Sequence, residues 1–134
     1  MPSRREFLQQ ILALPILGVL GIREMSAKAR QGREVLINQF SIAGFQYYKG
    51  PAMLPLMKVG ERVSLEAEPT NAHDAFAVKI FYRGRHIGYV PRSDNRHISR
   101  LLRNRVPLIG HIAGIQPDAP TWQQVQVRVW LLQN

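Results

Sequence analysis

The segment Glu68-Pro69-Thr70-Asn71-Ala72-His73-Asp74 puts a carboxamide, an imidazole and a carboxylate within four residues of one another. Groups of these types can ligate a divalent cation, pass a proton, or present hydrogen-bond acceptors to a ligand. They also build turns, because Pro69 fixes φ while Asn and Asp side chains fold back on neighbouring amides. The two roles are compatible: a loop locked by its own hydrogen bonds can still offer a spare acceptor. Close upstream, Tyr47 and Tyr48 stand side by side between Gly44 and Gly50. An exposed tyrosine ring stacks on a nucleobase with a gain on the order of 1–3 kcal/mol, and it serves equally as the half-buried rim of a barrel.

Several chemistries are poorly supplied. The chain has no cysteine, which removes disulfides, thiolate-ligated zinc or iron–sulfur sites and a thiol nucleophile. His73, His86, His97 and His111 show no His-x-x-x-His spacing, and His73 with Asp74 makes only two ligands. No metal site is assigned; a divalent, zinc-type hydrolase centre on His73 and Asp74 is the least favoured reading. There is no Ser/His/Asp logic, phosphate-binding glycine loop or pair of carboxylates with divided acid and base roles. No catalytic residue and no cofactor are therefore assigned.

The elements that must hold these residues read as short strands. Val35 to Gly44 is rich in β-formers, and Gly44 to Gly50 continues as an extended segment, with Tyr47 and Tyr48 on opposite faces. Pro51 to Lys58 is an irregular apolar connector. Arg62 to Glu68 alternates Val63, Leu65 and Ala67 with polar residues, as a strand with one wet face does. The polar loop leads into a strand from Phe76 to Tyr82, and Arg83-Gly84-Arg85 turns it back into His86 to Pro91. Ser93 or Asp94 can cap a helix running to Arg103, with Ile98, Leu101 and Leu102 as its apolar stripe. Val106 to Ile115 and Trp122 to Leu132 close the chain as two more strands. The expectation is a mainly β protein, a small OB-like β-barrel with one or two short helices.

Basic residues outnumber acidic ones 18 to 9, and the part from Gln31 onward keeps 13 against 7. That balance favours a polyanionic partner or serves solubility alone. Arg96, Arg100 and Arg103 of the helix, with Arg92 and Arg105 beside it, are the natural cationic track for nucleic acid, Arg92, Arg96 and Arg100 foremost; an ordinary solvated face is the plainer reading.

Residues 1–30 read as an address. Ser3-Arg4-Arg5-Glu6-Phe7-Leu8 resembles the twin-arginine export motif, and a short apolar run from Ile11 to Ile22 follows. Ala27-Lys28-Ala29 supplies the small-x-small pattern of a cleavage site, so a mature domain of residues 31–134 is expected, without a stable membrane span. The resemblance implies a bacterial protein that meets the export machinery and works in the periplasm or beyond; without it, the location is cytoplasmic.

Three motifs in order carry a second resemblance: Gly44-Phe45-Gln46-Tyr47-Tyr48-Lys49-Gly50, then Glu68-Pro69-x-Asn71-x-x-Asp74 with Ala77-Val78, then Ile87-Gly88-Tyr89-Val90-Pro91. Over about residues 35–132 the chain resembles a HIRAN domain, a module often found beside helicase motors. No helicase or ATPase motor accompanies it in this sequence. The resemblance implies an OB-like barrel that binds single-stranded DNA with a preference for a free 3′ end. It implies that Tyr47 and Tyr48 contact the terminal bases and backbone, Asn71 lines the pocket, and Asp74 accepts from the 3′-hydroxyl. Three positions depart from the helicase type: Gln46 stands for an arginine, Tyr89 for a histidine and His73 for an aromatic. The expected site is therefore Tyr47, Tyr48, Asn71, His73, Asp74, Tyr89, Arg92, Arg96 and Arg100. The alternative of a different class is a cell-envelope interaction module that kept the barrel and binds a protein or another anionic ligand.

Overall fold

The computed structural model describes residues 33–133, within which Val35–Gln133 forms one compact unit. The export signal expected over residues 1–30 lies outside the described residues. Six strands are ordered β1-β6-β5-β2-β3-β4: β1 is Glu34–Ser41, β2 Arg62–Ala67, β3 Val78–Tyr82, β4 Arg85–Tyr89, β5 Leu108–Ile115 and β6 Val125–Leu132. Two short helices join them, α1 (Gly50–Met53) and α2 (Asn95–Arg103). This is the mainly β, OB-like architecture that the alternating patterns predict.

The sheet curls until its ends meet. Just past β1, the Ile42 amide donates to the Val125 carbonyl at 3.0 Å, while Ala43 and Tyr89 exchange both backbone hydrogen bonds at 2.9 Å. One residue thus belongs to the β6 side and the next to the β4 side. Gly88 permits this closure: it has φ of 150°, and a Cβ there would stand 2.4 Å from Ile42 Cγ2 and 2.6 Å from the Ala43 carbonyl. Inside the barrel lie Phe40, Ile42, Val63, Val78, Ile80, Ile87, Ile112, Val125, Val127 and Val129. The period-two alternation of β2, β3 and β6 sends Val63, Val78, Ile80, Val125, Val127 and Val129 inward.

Several boundaries differ from the sequence expectation. Gly44 to Gly50 is not extended: Phe45–Tyr47 is a 3-10 turn, and α1 follows at once. Phe45 is the cause, since its ring is fully buried and pulls the chain inward; a Cβ on Gly50 would lie 2.5 Å from that ring. The connector after Gly50 is helical, through α1 and a 3-10 turn at Leu54–Leu56. Strand β3 begins at Val78 rather than Phe76, because Ala75 and Phe76 still belong to the loop's closing turn. Trp122 lies in a 3-10 turn, Thr121–Gln123, before β6. The β3–β4 turn has positive φ at both Arg83 (48°) and Gly84 (77°), the type I′ geometry whose twist matches a two-residue hairpin. Helix α2 starts where expected, but the Asp94 side chain makes no cap bond and instead accepts from Asn38 Nδ2 at 3.0 Å.

Candidate functional site

The polar loop is built on one asparagine. Asn71 Oδ1 accepts from the amides of His73 (2.8 Å) and Asp74 (3.0 Å), and its Nδ2 donates to Glu68 Oε1 at 2.7 Å. The backbone closes the loop at its base, where the Glu68 amide donates to the Ala77 carbonyl at 2.8 Å. Asn71 therefore acts first as the loop's internal brace, with its oxygen and amide both engaged.

Asp74 is braced from two sides and keeps capacity to spare. Its Oδ1 accepts from the Phe76 amide at 2.9 Å, and its Oδ2 accepts from Asn95 Nδ2 at 2.8 Å. The Phe76 amide, the Asn95 amide and the nearby Arg92 and Arg96 charges hold its carboxyl below the usual carboxylate range. An ionised carboxylate has about four lone-pair positions, so about two remain for a ligand. Arg92 Nε lies 3.7 Å from Oδ2, and its guanidinium also donates to the His73 carbonyl at 3.2 Å.

The facing wall is aromatic. Tyr48 packs on His86 with ring centroids 4.2 Å apart and meets Tyr89 edge-on at 5.7 Å. Burial pushes the His86 imidazole below the usual histidine range. Tyr89 donates to Glu68 Oε1 at 2.9 Å, and Lys79 pairs with Glu68 Oε2 at 3.0 Å. The Asn71 amide, then Lys79 and Tyr89, hold the Glu68 carboxyl down to about 2, while burial and the Glu68 bond push the Tyr89 hydroxyl up. Its bond to Glu68 thus fixes Tyr89 as a wall of the site. Tyr47, in the 3-10 turn, is 77% exposed, and Tyr48, which follows it, is 41% exposed.

Between these walls lies an open pocket of about 560 Å³ that Tyr47, Tyr48, Asn71, His73, Asp74, Tyr89 and Arg92 all line, together with Asn95. Seven of the nine residues expected from sequence thus meet at one place. Arg96 lines a smaller hollow beside it, and Arg100 reaches neither, packing instead against Phe76 with its guanidinium carbon 5.4 Å from the ring centroid. Gln46 is not a pocket residue either: its Oε1 is buried without a partner, so it does not replace an arginine's phosphate contact. Sequence reasoning missed Asn95 and His86 as parts of the site, and gave Glu68 a place in the loop but not its bonds to Tyr89 and Lys79. Nothing local marks Asn95, whose role arises only when α2 packs behind the loop. Among the described residues no three of His, Cys, Asp and Glu converge on a common point. None of the described helices is long and apolar enough to cross a membrane.

The model of the HIRAN domain family matches residues 37–132. The chain belongs to the HIRAN domain family. Two solved structures share its fold. A protein from Lactobacillus plantarum superposes with a TM-score of 0.66 at 22% identity, over 75% of this chain and 97% of that one. The HIRAN domain of human HLTF superposes with a TM-score of 0.60 at 18% identity, over 78% of this chain and 83% of that one. No curated protein matches the chain. Membership of the HIRAN family, a family of DNA-binding modules, supports a nucleic-acid-binding role.

Proposed function

We propose that this HIRAN domain is a non-catalytic module that binds single-stranded DNA and takes its 3′-terminal nucleotide into the pocket between Tyr47, Tyr48 and the Asn71–Asp74 loop. The observation that carries the reading is Asp74: an ionised carboxylate, fixed by Phe76 and Asn95, with lone pairs still free on the pocket wall. Such a group accepts strongly from a hydroxyl and repels a phosphate in the same place. The exposed rings of Tyr47 and Tyr48 supply sequence-tolerant stacking. Arg92, beside Asp74, is placed to offset the charge of a backbone phosphate. The test is fluorescence anisotropy with a single-stranded oligonucleotide and a blunt duplex of the same sequence at low salt. The reading predicts preference for the single strand, and equal or absent binding overturns it.

The twin-arginine resemblance supports a second proposal, export across the inner membrane, with extracellular or periplasmic nucleic acid as the ligand. A reporter fused to residues 1–34 tests it. Export that survives Arg4→Lys with Arg5→Lys removes this proposal.

A further inference from the structure

Three arginines of α2 gather on one ring. The guanidinium carbons of Arg96, Arg100 and Arg103 lie 4.6, 5.4 and 5.4 Å from the centroid of Phe76, and Arg103 also donates to the Ala75 carbonyl. The ring attracts each guanidinium and leaves N–H groups for other partners. Cations this close repel one another, and an anion laid across them relieves that repulsion. Among the described residues no carboxylate comes within 4.0 Å of Arg96, Arg100 or Arg103, although Arg96 lies near enough to Asp74 for its charge to be felt. Between the triad and the main pocket lies the second hollow, of about 180 Å³, lined by Phe76, Arg96 and four residues that also line the main pocket: His73, Asp74, Arg92 and Asn95. The two cavities are therefore contiguous, and the cations begin where the terminal pocket ends.

We propose that this face of α2 is the track of a phosphodiester backbone leaving the terminal pocket. Arg96, with Arg92, meets the first internal phosphate at the rim of the second hollow, on the Phe76 side away from Asp74, and Arg100 and Arg103 meet the next ones. The proposal rests on the pocket reading above and adds the path and footprint of the strand. From Arg96 to Arg103 the helix rises roughly 10 Å, about three nucleotides of a stacked strand.

The test is the salt dependence of binding for a labelled dinucleotide and for a strand of about ten nucleotides. Each phosphate neutralised contributes about 0.7 to the log–log slope for single strands. Arg100→Gln is expected to lower the slope for the longer strand by about 0.7 and leave that for the dinucleotide unchanged. Adding Arg96→Gln is expected to lower both. Arg85→Gln, on the β3–β4 hairpin, is the control for bulk charge. A slope that Arg100→Gln leaves intact, or that Arg85→Gln reduces equally, overturns the track and leaves the pocket standing. Failure of the unaltered protein to bind either ligand overturns both.

Discussion

Asn95, buried in the first turn of α2, donates its side-chain amide to Asp74 Oδ2 across 2.8 Å, twenty-one residues away in sequence. The bond couples the helix to the polar loop and sets which lone pairs of Asp74 face the pocket. Asn95→Ala leaves that oxygen without its donor. A hydrogen bond to a charged group is worth about 1.5–3 kcal/mol, so stability should fall by an amount in that range in urea titration. Discrimination at the strand end should weaken as well, which a purely structural bond elsewhere would not cause.

Glu68 makes stability pH-dependent with a definite sign. Its carboxyl is lowered from an ordinary 4.5 to about 2, so the folded state favours the ionised form. The contribution is fully present above the unfolded value and is lost as pH falls from about 4.5 through about 2. Asp74, also lowered, adds loss in the acid range, so the difference between variants is the cleaner reading. Glu68→Gln should be less stable than the unaltered protein at neutral pH, and the gap should close towards pH 2. A gap independent of pH in urea midpoints would falsify this account of Glu68.

Closure of the barrel predicts an intolerant position. In Gly88→Ala the new Cβ meets Ile42 Cγ2 and the Ala43 carbonyl well inside contact distance, at a positive φ. Backbone strain and overpacking each cost about 1–3 kcal/mol, so a loss of about 3 kcal/mol or more is expected in thermal or urea unfolding. A loss under about 1 kcal/mol would mean the Ala43–Tyr89 bridge is slack.

Much of this was legible in the residues because the strands alternate cleanly. Val63 and Leu65 in β2, and Val125, Val127 and Val129 in β6, lie where a period of two puts them. The loop chemistry was equally readable, since Asn71 bonds residues two and three ahead of it, a local interaction. What escaped depended on distance in the chain. Phe45 buries itself beneath Gly50 and coils a segment that reads as extended, which brings Tyr47 and Tyr48 to the same pocket. Asn95 enters the site only through Asp74, twenty-one residues away, and Glu68 reaches Tyr89 across the same separation, although its bond to Asn71 is local. Arg100 carried the right charge for the track but not the reach for the pocket, because Phe76 holds it one helical turn beyond.

The central claim is that Asp74 reads a terminal hydroxyl. Anisotropy of the protein with one labelled single strand, ending in either a 3′-hydroxyl or a 3′-phosphate, tests it most directly. Loss of a charge-assisted hydrogen bond predicts roughly ten-fold or greater preference for the hydroxyl end, and Asp74→Asn should shrink that preference. Equal affinity for the two ends would contradict the claim, whatever the strength of binding.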